Sequence, residues 1–410
     1  MQYRIDRKSG NKLSVLGFGC MRFPKIFSKA EELVMRSIEK GVNYFDTAWI
    51  YPGNERVLGT ILDKNNVRDK VFIATKLPLV LFKGTQVSAE ESRVDFDKYF
   101  NQSLERLKTD YIDYYMMHMI TDMDQWNQLK ALGIENWIDQ KKKSGQIKQI
   151  GFSFHGPGYE FLKIIDDYDW DFCLIQYNYS DENFQAGVKG LRAAAAKMTV
   201  ITMEPLLGGK LAAGLPKEAV KIFKEACHTQ QGGPADLSPA GWALNWVWDQ
   251  EEVTTVLSGM GNMDQLEENL RLAGASEAGM LTDKHKDVYA SVLKSINRSC
   301  KINCTGCNYC LPCPFGVNIP GSFSAYNVIY SHGYVEGMKQ YITSTGFTSE
   351  TGSGPCLCNK CGKCELLCPQ KIPILKELSK VRRKMEPWWV RCIGIGMRFY
   401  MGKKRKKKDV

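Results

Sequence analysis

Residues 41–51 read Gly41-Val42-Asn43-Tyr44-Phe45-Asp46-Thr47-Ala48-Trp49-Ile50-Tyr51, a short apolar run closed by an aspartate and followed by a loop tyrosine. The same grammar recurs on both sides of it. Runs that suit strands fall at Val15–Cys20, Tyr44–Thr47, Val71–Thr75, Tyr111–Met117, Gln149–Ser153, Cys173–Gln176, Val200–Met203 and Thr255–Leu257. Amphipathic stretches such as Ala30–Lys40 and Phe96–Leu107 lie between them. Alternation of strand and helix predicts a parallel sheet with right-handed crossovers. Eight such units in about 250 residues predict a closed (β/α)8 barrel, an α/β TIM-barrel fold. An open doubly wound sheet would carry a glycine-rich phosphate turn after its first strand. Here Gly17-Phe18-Gly19 runs into Cys20-Met21-Arg22 with no sign of a helix start. Ahead of the first strand, Met1–Ser14 suits a hairpin that turns at Ser9-Gly10-Asn11 and closes the bottom of the barrel.

The active ends of barrel strands are their C-terminal ends. Asp46 closes the second predicted strand, with Tyr51 five residues on; Lys76 closes the third and His118 the fourth. Four titratable side chains on three consecutive strands would meet at one mouth. Their chemistry is complementary. A carbonyl that accepts hydride needs a proton on its oxygen, and a tyrosine can give one although its ordinary pKa is about 10. An ammonium nearby favours the phenolate left behind. A carboxylate beside that ammonium keeps it charged and aimed, and a histidine can orient the substrate oxygen.

With Asn54-Glu55 leading to Leu58-Gly59, these residues make the segment from about 10 to 275 resemble the aldo/keto reductases. The resemblance implies Tyr51 as proton donor, Lys76 and Asp46 as its tuning pair, and His118 as the residue that orients the substrate. It also implies a bound NADP(H) or NAD(H). The nicotinamide carboxamide would be held by Ser153 and Gln176, with Met203 at the place where the family often stacks an aromatic ring. Ser258, Gly259, Asn262, Gln265 and Asn269 would serve the phosphates and adenosine, at loop glycines and a helix start where backbone N–H groups face an anion. The chain departs from the family at Phe154, where asparagine is usual, and at Met203, which packs a ring without offering a π-face. It lacks the family's basic pair for a 2′-phosphate, with only Arg271 nearby, so the choice of nucleotide stays open.

The cysteines are unevenly spread. Three fall in the first 299 residues, ten of the fourteen lie from Cys300 to Cys368, and Cys392 is in the tail. The N-terminus shows no secretory leader, so the cluster reads as metal ligation instead of a disulfide framework. One run is Cys304-x2-Cys307-x2-Cys310-x2-Cys313-Pro314 and the other Cys358-x2-Cys361-x2-Cys364-x3-Cys368-Pro369. The second resembles the bacterial two-cluster ferredoxins residue for residue; the first is one residue short before its last cysteine. In that type the fourth ligand of each cluster comes from the other run. The resemblance therefore implies Cys304, Cys307, Cys310 and Cys368 on one 4Fe-4S cluster, and Cys358, Cys361, Cys364 and Cys313 on a second. Structural zinc is the alternative, but it needs only four sulfurs around one ion. Cys300 and Cys356 are left over, and Cys300 could substitute in the shortened run.

The expected domains are 1–290 for the barrel, 291–380 for the iron–sulfur domain and 381–410 for a basic aromatic tail. Residues 380–410 carry a net charge of +10, equal to that of the whole chain, so the rest is neutral. That balance argues against a nucleic-acid protein. The tail's tryptophans and lysines suit either an interfacial anchor on anionic lipid or the docking of an acidic electron carrier, a ferredoxin or flavodoxin. No run is long enough to span a bilayer. The expected location is the cytoplasm, with the tail as the element that would bring the protein to the inner face of a membrane.

A barrel followed by such a domain looks like the ferredoxin-fused aldo/keto reductases. The substrate would be a small carbonyl or alcohol, with Trp49, Trp126, Trp137 and Tyr179 as candidate pocket liners. Nicotinamide moves two electrons as hydride, whereas each cluster passes one. Three functions follow: a reductase with the clusters as electron relay, an electron-transfer protein that uses the barrel as a docking scaffold, and a reductase whose clusters are only structural.

Overall fold

The computed structural model describes residues 1–79, 89–156, 158–229, 237–345 and 352–387. Most of the tail, from residue 388 and including Cys392, lies outside them. The chain divides into two compact units, Met1–Leu206 with Ala240–Thr282, and Leu207–Pro239 with Asp283–Val410. The second includes Leu207–Pro239, a segment that the sequence reading assigned to the barrel domain.

In the first unit, β1 (Tyr3–Ile5) and β2 (Lys12–Ser14) pair antiparallel as the hairpin. Its turn needs a left-handed residue, supplied by Gly10 at φ 75°. Eight parallel strands then close a barrel in the order β10-β3-β4-β5-β6-β7-β8-β9. They are β3 (Leu16–Gly19), β4 (Tyr44–Asp46), β5 (Phe72–Leu77), β6 (Ile112–Ile120), β7 (Ile147–Phe154), β8 (Phe172–Gln176), β9 (Thr199–Met203) and β10 (Thr255–Ser258). Each overlaps one of the runs read from the sequence. The helices of this unit are α1 (Phe27–Glu39), α2 (Asn54–Lys64), α3 (Ala89–Leu107), α4 (Met123–Ala131), α5 (Ile134–Lys143), α6 (Gly158–Asp167) and α7 (Gly187–Ala195). After α8 (Lys217–Thr229), which belongs to the second unit, come α9 (Pro239–Trp248) and α10 (Met263–Ala275).

The barrel interior is a packed core. Leu13, Tyr44, Ala74, Tyr114, Met116, Phe172, Leu174, Ile201 and Leu257 form one buried cluster. Leu13 reaches it from the hairpin, so the hairpin closes the bottom as expected; full burial of such a side chain contributes about 1.5–3 kcal/mol. Asp6 adds a polar tie, accepting a 2.5 Å hydrogen bond from Tyr114 Oη. Between strands and helices, Trp137 packs on Phe96, Phe100 and Tyr115, and Trp126 on Tyr168 and Trp170. Both indoles are buried at the helix layer and bonded to Asp97 and Asp167, so neither lines a substrate pocket as the sequence suggested.

The second unit holds α8, α11 (Asp283–Ser299), α12 (Ile319–His332), α13 (Tyr334–Thr345), the short α14 (Lys363–Leu366) and α15 (Ile374–Met385). The Asn318 side chain caps α12 by accepting from the Gly321 N–H, with Pro320 in the first turn. Ile374, Leu378, Val381 and Met385 repeat at helical spacing along α15 and bury one face. They join Phe323, Tyr326 and Tyr341 in a core against which Cys304, Cys310, Cys313, Cys358 and Cys364 are packed. Among the described residues no helix is long and apolar enough to cross a membrane.

Candidate functional site

Side chains two residues apart on a strand face the same way. Stepping two residues up from the interior cluster takes Tyr44 to Asp46, Ala74 to Lys76, Met116 to His118, Leu174 to Gln176 and Ile201 to Met203. The site is thus the next layer of the barrel, at the C-terminal ends of the strands.

Lys76 Nζ donates to Asp46 Oδ1 at 2.7 Å and to the Thr47 carbonyl at 2.6 Å. Both side chains are buried, at 2% and 7% exposure, so water screens little of their attraction. Burial pushes the Asp46 carboxyl up, and the Lys76 ammonium opposes that rise. The same ammonium lies 5.2 Å from the centroid of the Tyr51 ring. Tyr51 meets the His118 ring edge to face, with centroids 6.1 Å apart. The four predicted residues therefore do converge. His118 is buried; desolvation first, then Lys76 and His155, hold its pKa well below the usual value. It is a neutral imidazole near pH 7, suited to hydrogen bonding and unsuited to supplying charge.

Two local features hold this arrangement. The β6–β7 register shifts between Met117 and Ile120, a stretch that contains His118, with Met119 left-handed at φ 64°. Such a bulge re-aims a side chain at a barrel rim. Ser153 Oγ pins it by accepting from the Met119 N–H at 2.8 Å. Behind Lys76, the buried Glu55 accepts from Thr75 at 2.6 Å, Ser103 at 2.7 Å and Arg106 at 3.2 Å, which ties α2 to β5 and α3. That close approach needs Gly59, since a Cβ there would stand 2.4 Å from the Arg106 carbonyl oxygen.

The predicted nucleotide residues fall in two groups. Ser153 and Gln176 are buried at the ends of β7 and β8, and Gln176 Nε2 donates to Asp181 at 3.3 Å. Met203 ends β9, next to Gln176 in register. Ser258, at the end of β10, accepts from Asn269 Nδ2 on α10 at 3.0 Å. Asn262 caps α10 by accepting from the Gln265 N–H, and Gln265 Oε1 accepts from the Gly261 N–H one residue before the cap, so both side chains bind orphan donors at the helix start. The helix begins at Met263, so the N–H groups of its first turn face the loop that contains Gly259. Arg22 borders this loop, its Cβ 4.0 Å from where a Cβ at Gly259 would stand. The Cys20 thiol is fully buried beside Asp46 and Lys76, and burial pushes its pKa well above normal. A thiol so held is inert.

In the second unit, one cavity is lined by Cys304, Cys307, Cys310 and Cys368. A second is lined by Cys310, Cys313, Cys358, Cys361 and Cys364. Cys310 borders both cavities; the other seven thiols divide between them as the sequence reading expected. Electrostatics groups them the same way: Cys368 acts on Cys304, Cys307 and Cys310, and Cys313 acts on Cys364. Burial pushes Cys307 up to about 11 and Cys310 to about 12. The described cysteines are all free of disulfides. Thiols that ring a cavity fit a cluster, whose iron and sulfide would fill the space between them.

The two runs repeat each other beyond their cysteines, a symmetry the sequence reading did not notice. Left-handed residues flank the second cysteine of each, Gly306 and Asn308 around Cys307, Lys360 and Gly362 around Cys361. Such turns point backbone N–H groups inward, the arrangement that favours anionic sulfur. Three residues past each last cysteine, Gly316 and Lys371 are again left-handed; Val317 and Ile372 are then buried, and Ile319 and Ile374 begin α12 and α15. Cys300 lines neither cavity; its Sγ sits 3.2 Å from Asn303 Oδ1 and 3.9 Å from Lys210 Nζ.

A closed (β/α)8 barrel thus carries a buried Asp–Lys pair, a tyrosine and a histidine together at its mouth. Comparison with known proteins gives its class. The aldo/keto reductase family matches residues 15–284, and the 4Fe-4S dicluster domain family matches residues 303–393. The chain belongs to the aldo/keto reductase family and is an oxidoreductase that carries a 4Fe-4S ferredoxin-type domain. It is 26% identical over 281 residues to the uncharacterized oxidoreductase YqkF of Bacillus subtilis, which covers 64% of this chain and 88% of that protein. It is 27% identical over 290 residues to L-galactose dehydrogenase of Arabidopsis thaliana, with 66% and 87% covered. Among solved structures, aldo-keto reductase AKR11C1 from Bacillus halodurans in its holo form is 25% identical, with TM-score 0.55, covering 71% of this chain and 96% of that one.

Proposed function

We propose that the protein reduces a small carbonyl, or oxidises the matching alcohol, at Tyr51, and that two 4Fe-4S clusters in the second unit relay electrons. The observation that carries the reading is the Lys76 ammonium, buried, fixed to Asp46 at 2.7 Å and facing the Tyr51 ring. A bound NADP(H) or NAD(H) would supply or accept hydride, and the clusters single electrons. The protein's own residues handle the proton. Tyr51 gives its hydroxyl proton to the carbonyl oxygen as that oxygen gains charge. Lys76 stabilises the phenolate that remains, and Asp46 fixes the ammonium in place at 2.7 Å. His118, neutral, hydrogen-bonds the substrate oxygen and fixes its place. Ser153 and Gln176 would hold the carboxamide of the nucleotide, with Met203 against its ring; Ser258, Gly259, Asn262, Gln265 and Asn269 would form the phosphate and adenosine loop. The cysteine sets are Cys304, Cys307, Cys310 and Cys368 for one cluster, and Cys313, Cys358, Cys361 and Cys364 for the other. An acidic ferredoxin or flavodoxin is the proposed exchange partner, and the cytoplasm the proposed location, with the basic tail as a membrane contact.

Anaerobic mixing with NADH or NADPH and a panel of aldehydes and ketones tests this. Carbonyl turnover with bleaching of the cluster absorbance supports the relay. Turnover with unchanged cluster absorbance would make the clusters structural. Reduction by ferredoxin without any carbonyl turnover would make the barrel a scaffold.

A further inference from the structure

The loop that follows β9 has a role in the second unit that the reductase chemistry does not use. Gly208, left-handed at φ 67°, lies against the carbonyl of Thr305, the residue after Cys304. A Cβ at Gly208 would stand 1.9 Å from that oxygen, so only glycine lets the loop seat on the first cysteine run. Two residues later the half-buried Lys210 places Nζ 3.4 Å from the Ile302 carbonyl oxygen and 3.9 Å from Cys300 Sγ. The same turn is held from the other side by Asn327 of α12. Its Oδ1 accepts from the Lys301 and Ile302 N–H groups at 3.0 Å each, and its Nδ2 lies 3.8 Å from Cys300 Sγ. The Cys300–Cys304 turn is therefore clamped, and the lysine is one jaw of the clamp.

We propose that Lys210 is a positioning residue that sets the reduction potential of the cluster bound by the first cysteine run, holding it above the value that the thiolates alone would give. The proposal rests on the reading that the two cavities hold clusters. One-electron reduction adds a negative charge to a cube already surrounded by thiolates, and a cation fixed beside the ligand loop favours the reduced state. Lys210 is held on the turn that carries Cys304: its Nζ lies 3.4 Å from the carbonyl oxygen two residues before that cysteine, and Gly208 of the same loop lies against the residue after it. The lysines of the second run, Lys360 and Lys363, are exposed, so solvent screens them more strongly. Cys300 gains a function as well: it anchors the ammonium instead of ligating iron.

The test is an EPR-monitored potentiometric titration of the intact protein under argon, with dithionite as reductant, for the wild type, Lys210→Met, Lys210→Gln and Lys210→Arg. The expected result is that one of the two reduction steps becomes about tenfold less favourable in both neutral variants, a fall of about 59 mV for a one-electron couple. The other step stays in place, and Lys210→Arg restores most of the shift. The proposal is overturned if both neutral variants titrate like the wild type, if both steps move together, or if the arginine variant falls as far as the methionine one. Failure of the underlying cluster reading would be seen earlier and separately, as wild-type protein without iron or EPR signal.

Discussion

Replacing Lys76 with methionine keeps most of the buried volume and removes the charge at the centre of the site. At 2.7 Å and an effective dielectric constant of about 20, the Asp46–Lys76 attraction is about 6 kcal/mol before desolvation is counted. Breaking one side of a buried pair costs about 3–5 kcal/mol net. For a unit of this size that is a fall in Tm of about 6–20 °C. Asp46 would be left buried, with Oδ2 already without a hydrogen-bond partner among the described atoms. Burial raises its carboxyl, and loss of the lysine removes the main opposing influence. A folded pKa above the unfolded one means that the folded state binds more protons, so stability falls as pH rises through this window. Lys76→Met should therefore be least stable at alkaline pH and recover as the pH is lowered. Asp46→Asn with Lys76→Met removes the stranded carboxylate as well, and should be more stable than the sum of the single changes by about 2–3 kcal/mol. Thermal unfolding followed by tryptophan fluorescence, at several pH values, reads all four proteins. Simple additivity, or a Lys76→Met protein within a degree or two of the wild type, would refute the buried-pair account.

Tyr51→Phe should lower carbonyl turnover by about 10²–10⁴-fold while the visible spectrum of the clusters is unchanged, as steady-state assay and absorbance will report. His118 has a folded pKa below its unfolded value, so the unfolded chain takes the proton first as pH falls through about 6.5, and stability is lost there. His118→Asn should accordingly lose less Tm between pH 7.5 and 5.5 than the wild type; an equal loss would contradict the buried neutral imidazole. Gly59→Val pushes a side chain into the Arg106 and Leu107 backbone, where even a Cβ stands at 2.4–2.6 Å, and should destabilise by at least about 1–3 kcal/mol, seen as a lower Tm.

Much of the barrel was legible because its signals are local. Each strand is a short apolar run, and a polar residue at or near its C-terminal end marks the mouth, so Asp46, Lys76 and His118 could be placed from the sequence. Tyr51 could be read because it follows Asp46 on the next loop. The cysteine sets were legible for the same reason, since fixed spacing specifies a loop. What could not be read depends on contacts distant in sequence. Trp126 and Trp137 seemed to sit near strand ends, but helix packing turns them into the layer behind the sheet. The bulge at Met119 is set by Ser153, thirty-four residues away. Lys210 meets Cys300 across ninety residues of chain, and no periodicity announces it. The repeat that links Gly316 with Lys371 was hidden because a glycine and a lysine share a backbone conformation and nothing else.

The most direct measurement is a count of iron and acid-labile sulfide in protein purified without oxygen, combined with EPR of the reduced form. A reductase barrel joined to two neighbouring cubane clusters predicts about eight iron and eight sulfide per chain, with signals broadened by coupling between two centres. Colourless protein that contains one or two zinc ions and no sulfide would contradict it.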